Sequence, residues 1–228
     1  SLRREPPFDA DGQAIAASFL LANKRSVVLD LRAAAGRDAL LALGRDADVI
    51  VSSFRPAALA AGTPIVGLEP SCLLALRDEF YSLSLGPEVA QVGKQAFLFE
   101  EFLMREGNKG LKLDLKPITG GKAVVHGHCH QKAFGTMKSM KKVLGWIPEF
   151  EFEIVDASCC GMSGSFGLEA EHYEASVKMG ELALLPAVRS APVDAMIVAD
   201  GFSCRHQIKD GTGRDAVHVA VLLARALA

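Results

Sequence analysis

The chain has 228 residues, half of them apolar and 7% aromatic, enough to bury a sizeable core in one domain or two. Its formal net charge of −2 and pI near 6.3 give no basic surface for nucleic acid or an anionic membrane. No run reaches the roughly 18 to 20 apolar residues needed to cross a bilayer, and the N-terminus lacks the order of a signal peptide, so a cytoplasmic protein without a transmembrane segment is expected.

In chain order, Ser1 to Gln13 is a polar, proline-containing lead without periodicity. Lys24-Arg25-Ser26 opens a predicted strand, Val27 to Leu31, followed by a helix from about Gly36 to Gly44 and a strand at Val49 to Val51, which together make a βαβ unit. The Ala/Pro/Gly-rich stretch from Phe54 to Gly62 changes character, and a boundary is expected there, with domains at residues 1–60 and 61–228. Beyond it Thr63 to Leu68 reads as a strand. Pro70 and Ser71 then open a helix that places the Cys72 thiol near exposed N–H groups and the positive end of the dipole. Glu88 to Glu106 is predicted as one amphipathic helix with a core face of Ala96, Phe97, Phe99, Phe102 and Leu103. A glycine- and lysine-rich connection, Gly107 to Gly121, leads into a strand at Ala123 to Val125. A helix at Lys132 to Leu144, a strand at Phe152 to Val155, a helix at Leu168 to Leu185 and a strand at Ala195 to Ala199 complete the pattern. His172 and His218 read as surface helix positions.

The alternation of short β-branched runs with helices predicts an α/β fold, a parallel, Rossmann-like sheet of βα units. All five cysteines, Cys72, Cys129, Cys159, Cys160 and Cys204, follow predicted strand ends. The carboxyl ends of parallel strands lie on one edge of the sheet, so these thiols are expected to build one soft-metal site there. An odd cysteine count in a chain too large to need disulfide staples also points to ligands or reactive groups. The adjacent pair Cys159-Cys160 can reach two irons of one cluster, while Gly161, Gly164 and Gly167 let backbone amides approach sulfur and leave room for a bound group. His126, His128 and His130 flank Cys129 and read as supporting donors rather than ligands; Arg205 and His206, beside Cys204, are candidates for tuning or substrate contact. A mixed His/Cys zinc site and a dithiol redox centre are the alternatives. Five thiols exceed what tetrahedral zinc needs and no Cys-x-x-Cys knuckle is present, so iron–sulfur is preferred. No catalytic residue is assigned.

Two resemblances are carried by particular residues. Pro6-Pro-Phe-Asp-Ala-Asp-Gly12, Asn23-Lys-Arg-Ser-Val-Val-Leu-Asp-Leu31, Gly36-Arg-Asp-Ala-Leu-Leu-Ala-Leu43, Ala47-Asp-Val49 and Phe54-Arg-Pro56 make residues 3–56 resemble the N-terminal part of the family III CoA-transferases. That likeness stops short of the family's catalytic aspartate; Asp30 and Asp48 are read as strand-end and loop residues, and Lys24 and Arg25 as a solvated basic turn. From Ala61 onward the chain resembles the cysteine-rich CCG domain of iron–sulfur oxidoreductases, as found in the C-terminal part of FAD-linked 2-hydroxyacid dehydrogenases. Its carriers are Gly67-Leu-Glu-Pro-Ser-Cys72, Arg77-Asp-Glu79, His126-Gly-His-Cys-His-Gln-Lys-Ala133, Ser158-Cys-Cys-Gly-Met-Ser-Gly-Ser-Phe-Gly167 and Ala199-Asp-Gly-Phe-Ser-Cys-Arg-His-Gln-Ile208. The resemblance implies that Cys129, Cys159, Cys160 and Cys204 ligate an iron–sulfur centre, of 4Fe-4S type, with Cys72 as a fifth thiolate. It also implies FAD on a partner domain or subunit and an electron acceptor beyond. The chain departs from the pattern in three ways. Gly201 stands where related domains carry another cysteine, only the second of two cysteine repeats is present, and neither a ferredoxin-like run nor a flavin domain precedes it. The expectation is therefore the electron-transfer section of a flavin-linked oxidoreductase; the alternatives are a transferase fragment with a structural cysteine-rich half and a composite of two genes.

Overall fold

A computed structural model of the chain describes residues 33–35, 64–83, 86–164 and 166–227. The chain divides into two compact units, Ser1–Ser53 and Phe54–Ala228. The strands expected at 27–31 and 49–51 and the helix between them lie outside the described residues. The architecture described is that of the second unit.

Its elements run β1 (Ile65–Gly67), α1 (Pro70–Leu74), α2 (Val89–Gln95), β2 (Ala96–Leu98), α3 (Phe99–Gly107), β3 (Gly121–His126), α4 (Cys129–Ala133) and α5 (Met137–Leu144), then β4 (Phe152–Ile154), α6 (Tyr173–Glu181), α7 (Leu184–Ser190), β5 (Ala195–Ala199), α8 (Phe202–Thr212), β6 (Ala216–Val217) and α9 (Val219–Leu227). Four strands form a parallel sheet in the order β4-β3-β5-β6. Val125 pairs with Ile154 on one side and with Val198 on the other, and Ile197 pairs with Ala216. Successive residues of β3 feed opposite faces, because side chains alternate along a strand. Ala123 and Val125 join Met140, Val143, Leu144, Leu222 and Leu223 on one face. Val124 joins Leu184, Val188, Ile197, Cys160, Cys204 and Ile208 on the other. A strand apolar on both faces is what a helix-covered parallel sheet requires. The fold is the expected α/β architecture.

The chain leaves β3 toward β4 on one side and returns past it to β5 on the other. Connections from β3 and β5 therefore diverge at their carboxyl ends, where open α/β sheets have their crevice. Three of the cysteine-bearing loops rise from this edge.

The long helix predicted at 88–106 is not continuous. Ala96–Leu98 leaves it to pair in parallel with Ile65–Gly67, so a tertiary partner overrides local helical periodicity. Arg77 fixes the break. Its guanidinium donates to Ala96 O and makes a two-point ion pair with Glu101 on α3, at 3.1 and 2.5 Å. Glu101 in turn accepts from Leu98 N at the start of α3. Of the expected core face, Ala96 and Leu103 are buried; Phe97 and Phe102 instead receive Arg105 at 4.8 and 5.8 Å. The helix predicted at 132–144 begins at Cys129 and is interrupted at Gly135, whose φ of +68° suits glycine. The one predicted at 168–185 is a 3₁₀ turn, Phe166–Leu168, followed by α6 and α7.

Candidate metal centre

The loop after β3 is held rigid by its own short helix. His128 is the N-cap of α4: its Nδ1 accepts from His130 N at 3.2 Å, and its own N–H donates to Gln131 Oε1 at 2.9 Å. This reciprocal capping box directs Cys129 from the sheet edge. After β4, the ammonium of Lys132 donates to Ala157 O and Ser158 O, tethering the segment that leads to Cys159. Gly161 N–H then donates to Cys159 Sγ at 3.3 Å. After β5, Cys204 sits in the first turn of α8, whose leading amide, Phe202 N, donates to Glu69 Oε2 at 2.7 Å.

Four thiols meet as a line. Cys129 and Cys160 both neighbour Cys159, and Cys160 also neighbours Cys204, each close enough to shift the other's titration. The neighbouring Cys129 and Cys160 thiols, with the Gly161 amide that donates to its sulfur, pull Cys159 down to about 2, against the opposing effect of burial. Cys204 is lowered to about 5, first by the neighbouring Cys160 thiol and further by His126 and His128. Cys129 and Cys160 move upward, because the Cys159 sulfur beside each favours its protonated form and burial adds to it. Among the described residues no three or more His, Cys, Asp or Glu side chains converge as around a bound ion; the thiols meet in pairs. The chemistry of the donor set nonetheless fits a soft metal. Cysteine sulfur dominates it, and His126 beside the thiols is 1% exposed with neither ring nitrogen hydrogen-bonded.

The remaining sequence-predicted residues fall elsewhere. Cys72 is exposed, but its turn is fastened to the Cys204 helix, since Glu69 accepts from both Ser71 Oγ at 2.8 Å and Phe202 N. His130 packs edge-on against His128 at 5.5 Å. Arg205 bonds Ala199 O and Asp200 O, closing the end of β5. His206 pairs with Asp210 at 3.1 Å and stacks on Phe202. Gly161, at φ +97°, has Ser176 O only 2.1 Å from where a Cβ would stand, and Gly167 has Ser176 Oγ and Met162 Sδ at 2.5 Å. Their missing side chains admit α6; Gly164, at φ +67°, is chosen for conformation, with nothing within 4 Å. At Gly201 a Cβ would lie 2.4 Å from His128 Cδ2 and 3.1 Å from Cys204 Sγ. The His128 ring thus fills the space that a cysteine at 201 would take. His172 is a surface residue stacked on Phe166 and paired with Glu169. His218 is not one: its Nε2 meets Leu68 O at 2.9 Å and its Nδ1 accepts from Ala220 N. The expectation failed because its apolar neighbours Val217 and Val219 belong to β6 and to α9, which packs on the sheet.

A buried polar network behind the thiols was not foreseen. Gln131 Nε2 donates to both Glu100 Oε1 and Asp200 Oδ2 at 2.8 Å, and Asp200 Oδ1 accepts from Val219 N at 3.0 Å with His218 at 3.5 Å. Glu100, 1% exposed, is raised to about 8, first by burial and then by the neighbouring Asp200 charge. Gln131 and Asp200 lie inside the quoted motifs and were legible only as polar neighbours of cysteine. Glu100, in the middle of an apparent amphipathic helix, carried no signal.

Comparison with known proteins places these features in context. The model of the CoA-transferase family III matches residues 1–67, less than a third of the chain. Over 183 residues, 78% of the chain, it is 32% identical to 44% of one subunit of the anaerobic glycerol-3-phosphate dehydrogenase of Escherichia coli (strain K12). It is 31% identical over 159 residues to D-2-hydroxyglutarate dehydrogenase of the same strain, and 28% identical over 159 residues to that of Pseudomonas putida, in each case to 14% of the larger protein. The chain thus spans less than half the length of the curated relatives it matches. No solved structure matches.

Proposed function

We propose that residues 61–228 are the metal-bearing electron-transfer section of a larger flavin-linked dehydrogenase acting on a 2-hydroxyacid or similar alcohol. In this reading Cys129, Cys159, Cys160 and Cys204 hold an iron–sulfur cluster of 4Fe-4S type, with Cys72 at the rim. The observation that carries it is the line of four thiols at the carboxyl ends of β3, β4 and β5, in a chain related to dehydrogenases over most of its length. When bound, such a group accepts and passes on single electrons, with a potential set by charge, hydrogen bonding and exposure. The protein's own contribution is to hold the thiols in fixed loops, donate the Gly161 amide to Cys159, and cover Cys160 and Cys204 from water. Lys132, half-buried, places a cation near Cys204, Cys129 and Cys159 and so offsets part of the thiolate charge. FAD belongs on a partner domain or subunit, which would deliver the electrons, and an acceptor would take them.

The test is to purify the chain without oxygen, reconstitute it with iron and sulfide, and assay iron, acid-labile sulfide and zinc together. Several irons with matching sulfide per chain are expected. Stoichiometric zinc without sulfide would replace the reading with a structural zinc site.

The match of residues 1–67 to the CoA-transferase family gives the N-terminal segment its own reading, an appended piece of that fold without transfer activity. Incubation with acyl-CoA donors and carboxylate acceptors should give no transfer. Transfer abolished by Asp30→Ala would overturn this.

A further inference from the structure

The histidines around the thiols differ in one respect. His128 and His218 are buried and have partners on their rings, while His172 and His206 are paired with carboxylates at the surface. His126 is 1% exposed and both its Nδ1 and Nε2 are without a hydrogen bond. An unsatisfied buried polar atom is costly because its lost hydration is not replaced, so two on one ring need an explanation. His130 has one such atom, Nδ1, on a side chain that is only partly buried.

Alternation along β3 says where the ring stands. Val124 lies on the face with Cys160 and Cys204, while Ala123 and Val125 lie on the opposite face. His126, two residues beyond Val124, returns to the thiol face at the last position of the strand, where it pairs with Ala199 of β5. It is near enough to Cys159 and Cys204 to favour their thiolates. The ring is thus buried between the loops that carry the sulfurs. Cys72, which the sequence pattern offers as a fifth donor, is exposed in the short helix that follows β1.

We propose that an imidazole nitrogen of His126 is a direct ligand of the metal group held by Cys129, Cys159, Cys160 and Cys204, giving a mixed thiolate–imidazole set in which His126, not Cys72, is the fifth donor. This rests on the iron–sulfur reading above. A neutral nitrogen in place of an anionic thiolate leaves the bound group less negative and raises its potential, as two imidazoles do in Rieske centres.

The test uses the full chain, labelled with ¹⁵N-histidine, reconstituted anaerobically with iron and sulfide, reduced, and measured by pulsed electron paramagnetic resonance. A nitrogen coupling of the strength of a bound imidazole, shifted by the isotope, is expected in the parent and in His130→Ala. It should vanish in His126→Cys, which keeps its iron and moves to a lower midpoint potential because a thiolate replaces the imidazole. Circular dichroism checks that this variant folds, and His126→Gln replaces it if it does not, with loss of the coupling again expected. Iron and sulfide bound with no imidazole coupling, or a coupling that persists without His126, overturns the ligand and leaves the thiolate reading standing. A parent that takes up no iron and sulfide overturns both.

Discussion

Cys72 and Cys204 occupy the same local position. Each stands five residues past the last residue of a parallel strand, Gly67 or Ala199, and each is the third residue of the helix that follows. Yet Cys72 is exposed and Cys204 is 1% exposed, beside Cys160 and close to His126. The difference lies in what surrounds the strand. β5 is an inner strand between β3 and β6, so the loop after β3 rises beside its own and the Cys160 loop packs against the same face; among the described residues β1 pairs with β2 alone. Position after a strand aims a thiol toward the sheet edge, and neighbouring strands decide whether it meets others there. The Glu69 carboxylate, shared by Ser71 and Phe202, fastens the exposed turn to the buried one without burying it.

The strongest way to break this comparison is to remove a thiol from each side. Cys159→Ser or Cys160→Ser should reduce bound iron at least tenfold after reconstitution, with Cys204→Ser and Cys129→Ser close behind, because each interrupts the line of four. Equal iron in Cys204→Ser and Cys72→Ser would show that burial does not separate the two positions.

Next in size is Gly161→Ala. A methyl group there meets the Ser176 carbonyl and holds a side chain at φ +97°. We expect a loss of about 2–5 kcal/mol in urea unfolding, from left-handed strain and overpacking together. Gly164→Ala, with open space around it, should cost only the strain, about 1–2 kcal/mol.

Glu100 gives a pH-dependent effect on the buried side of the comparison. It titrates at about 8 in the folded chain against an ordinary 4.5, so between these values the folded chain retains a proton that the unfolded chain has released. The stability associated with this group is therefore full below pH 4.5 and falls as pH rises toward 8, by up to about 1.4 kcal/mol per pH unit. Glu100→Gln keeps an acceptor for Gln131 and removes the titration. The variant should match the parent near pH 5 and exceed it by about 2–4 kcal/mol near pH 8. Urea titrations at both values decide it; a constant difference between variant and parent would rule out the titration at Glu100.

The smallest effect belongs to Cys72→Ser. Stability should change by less than about 0.5 kcal/mol, as for exposed substitutions, and most of the bound iron should remain. A loss of iron as large as in Cys204→Ser would place Cys72 among the principal ligands.

The β-branched runs at Ala123–Val125 and Ala195–Ala199 announced strands because a parallel strand covered on both faces has to be apolar throughout. Cysteine after each run, with glycines beside Cys159-Cys160, announced the edge at which the chemistry would lie. These are local properties: period, spacing and residue type suffice to read them. The pairing of Ala96–Leu98 with Ile65–Gly67 was not readable, since a three-residue strand inside a helical pattern exists only through its distant partner and the Arg77 bonds that hold it. Nor was the burial of His218, the Glu100–Gln131–Asp200 network or the isolation of His126, because each depends on which side chains from remote segments arrive, or fail to arrive, within hydrogen-bonding distance. By itself the sequence determined the parallel α/β order and the strand-end placement of all five thiols, because both follow from local pattern. Only the tertiary structure decided that four of them form a line, that Cys72 stays exposed and that His128 fills the place beside Gly201, because burial and partnership are set by packing between segments far apart in the chain.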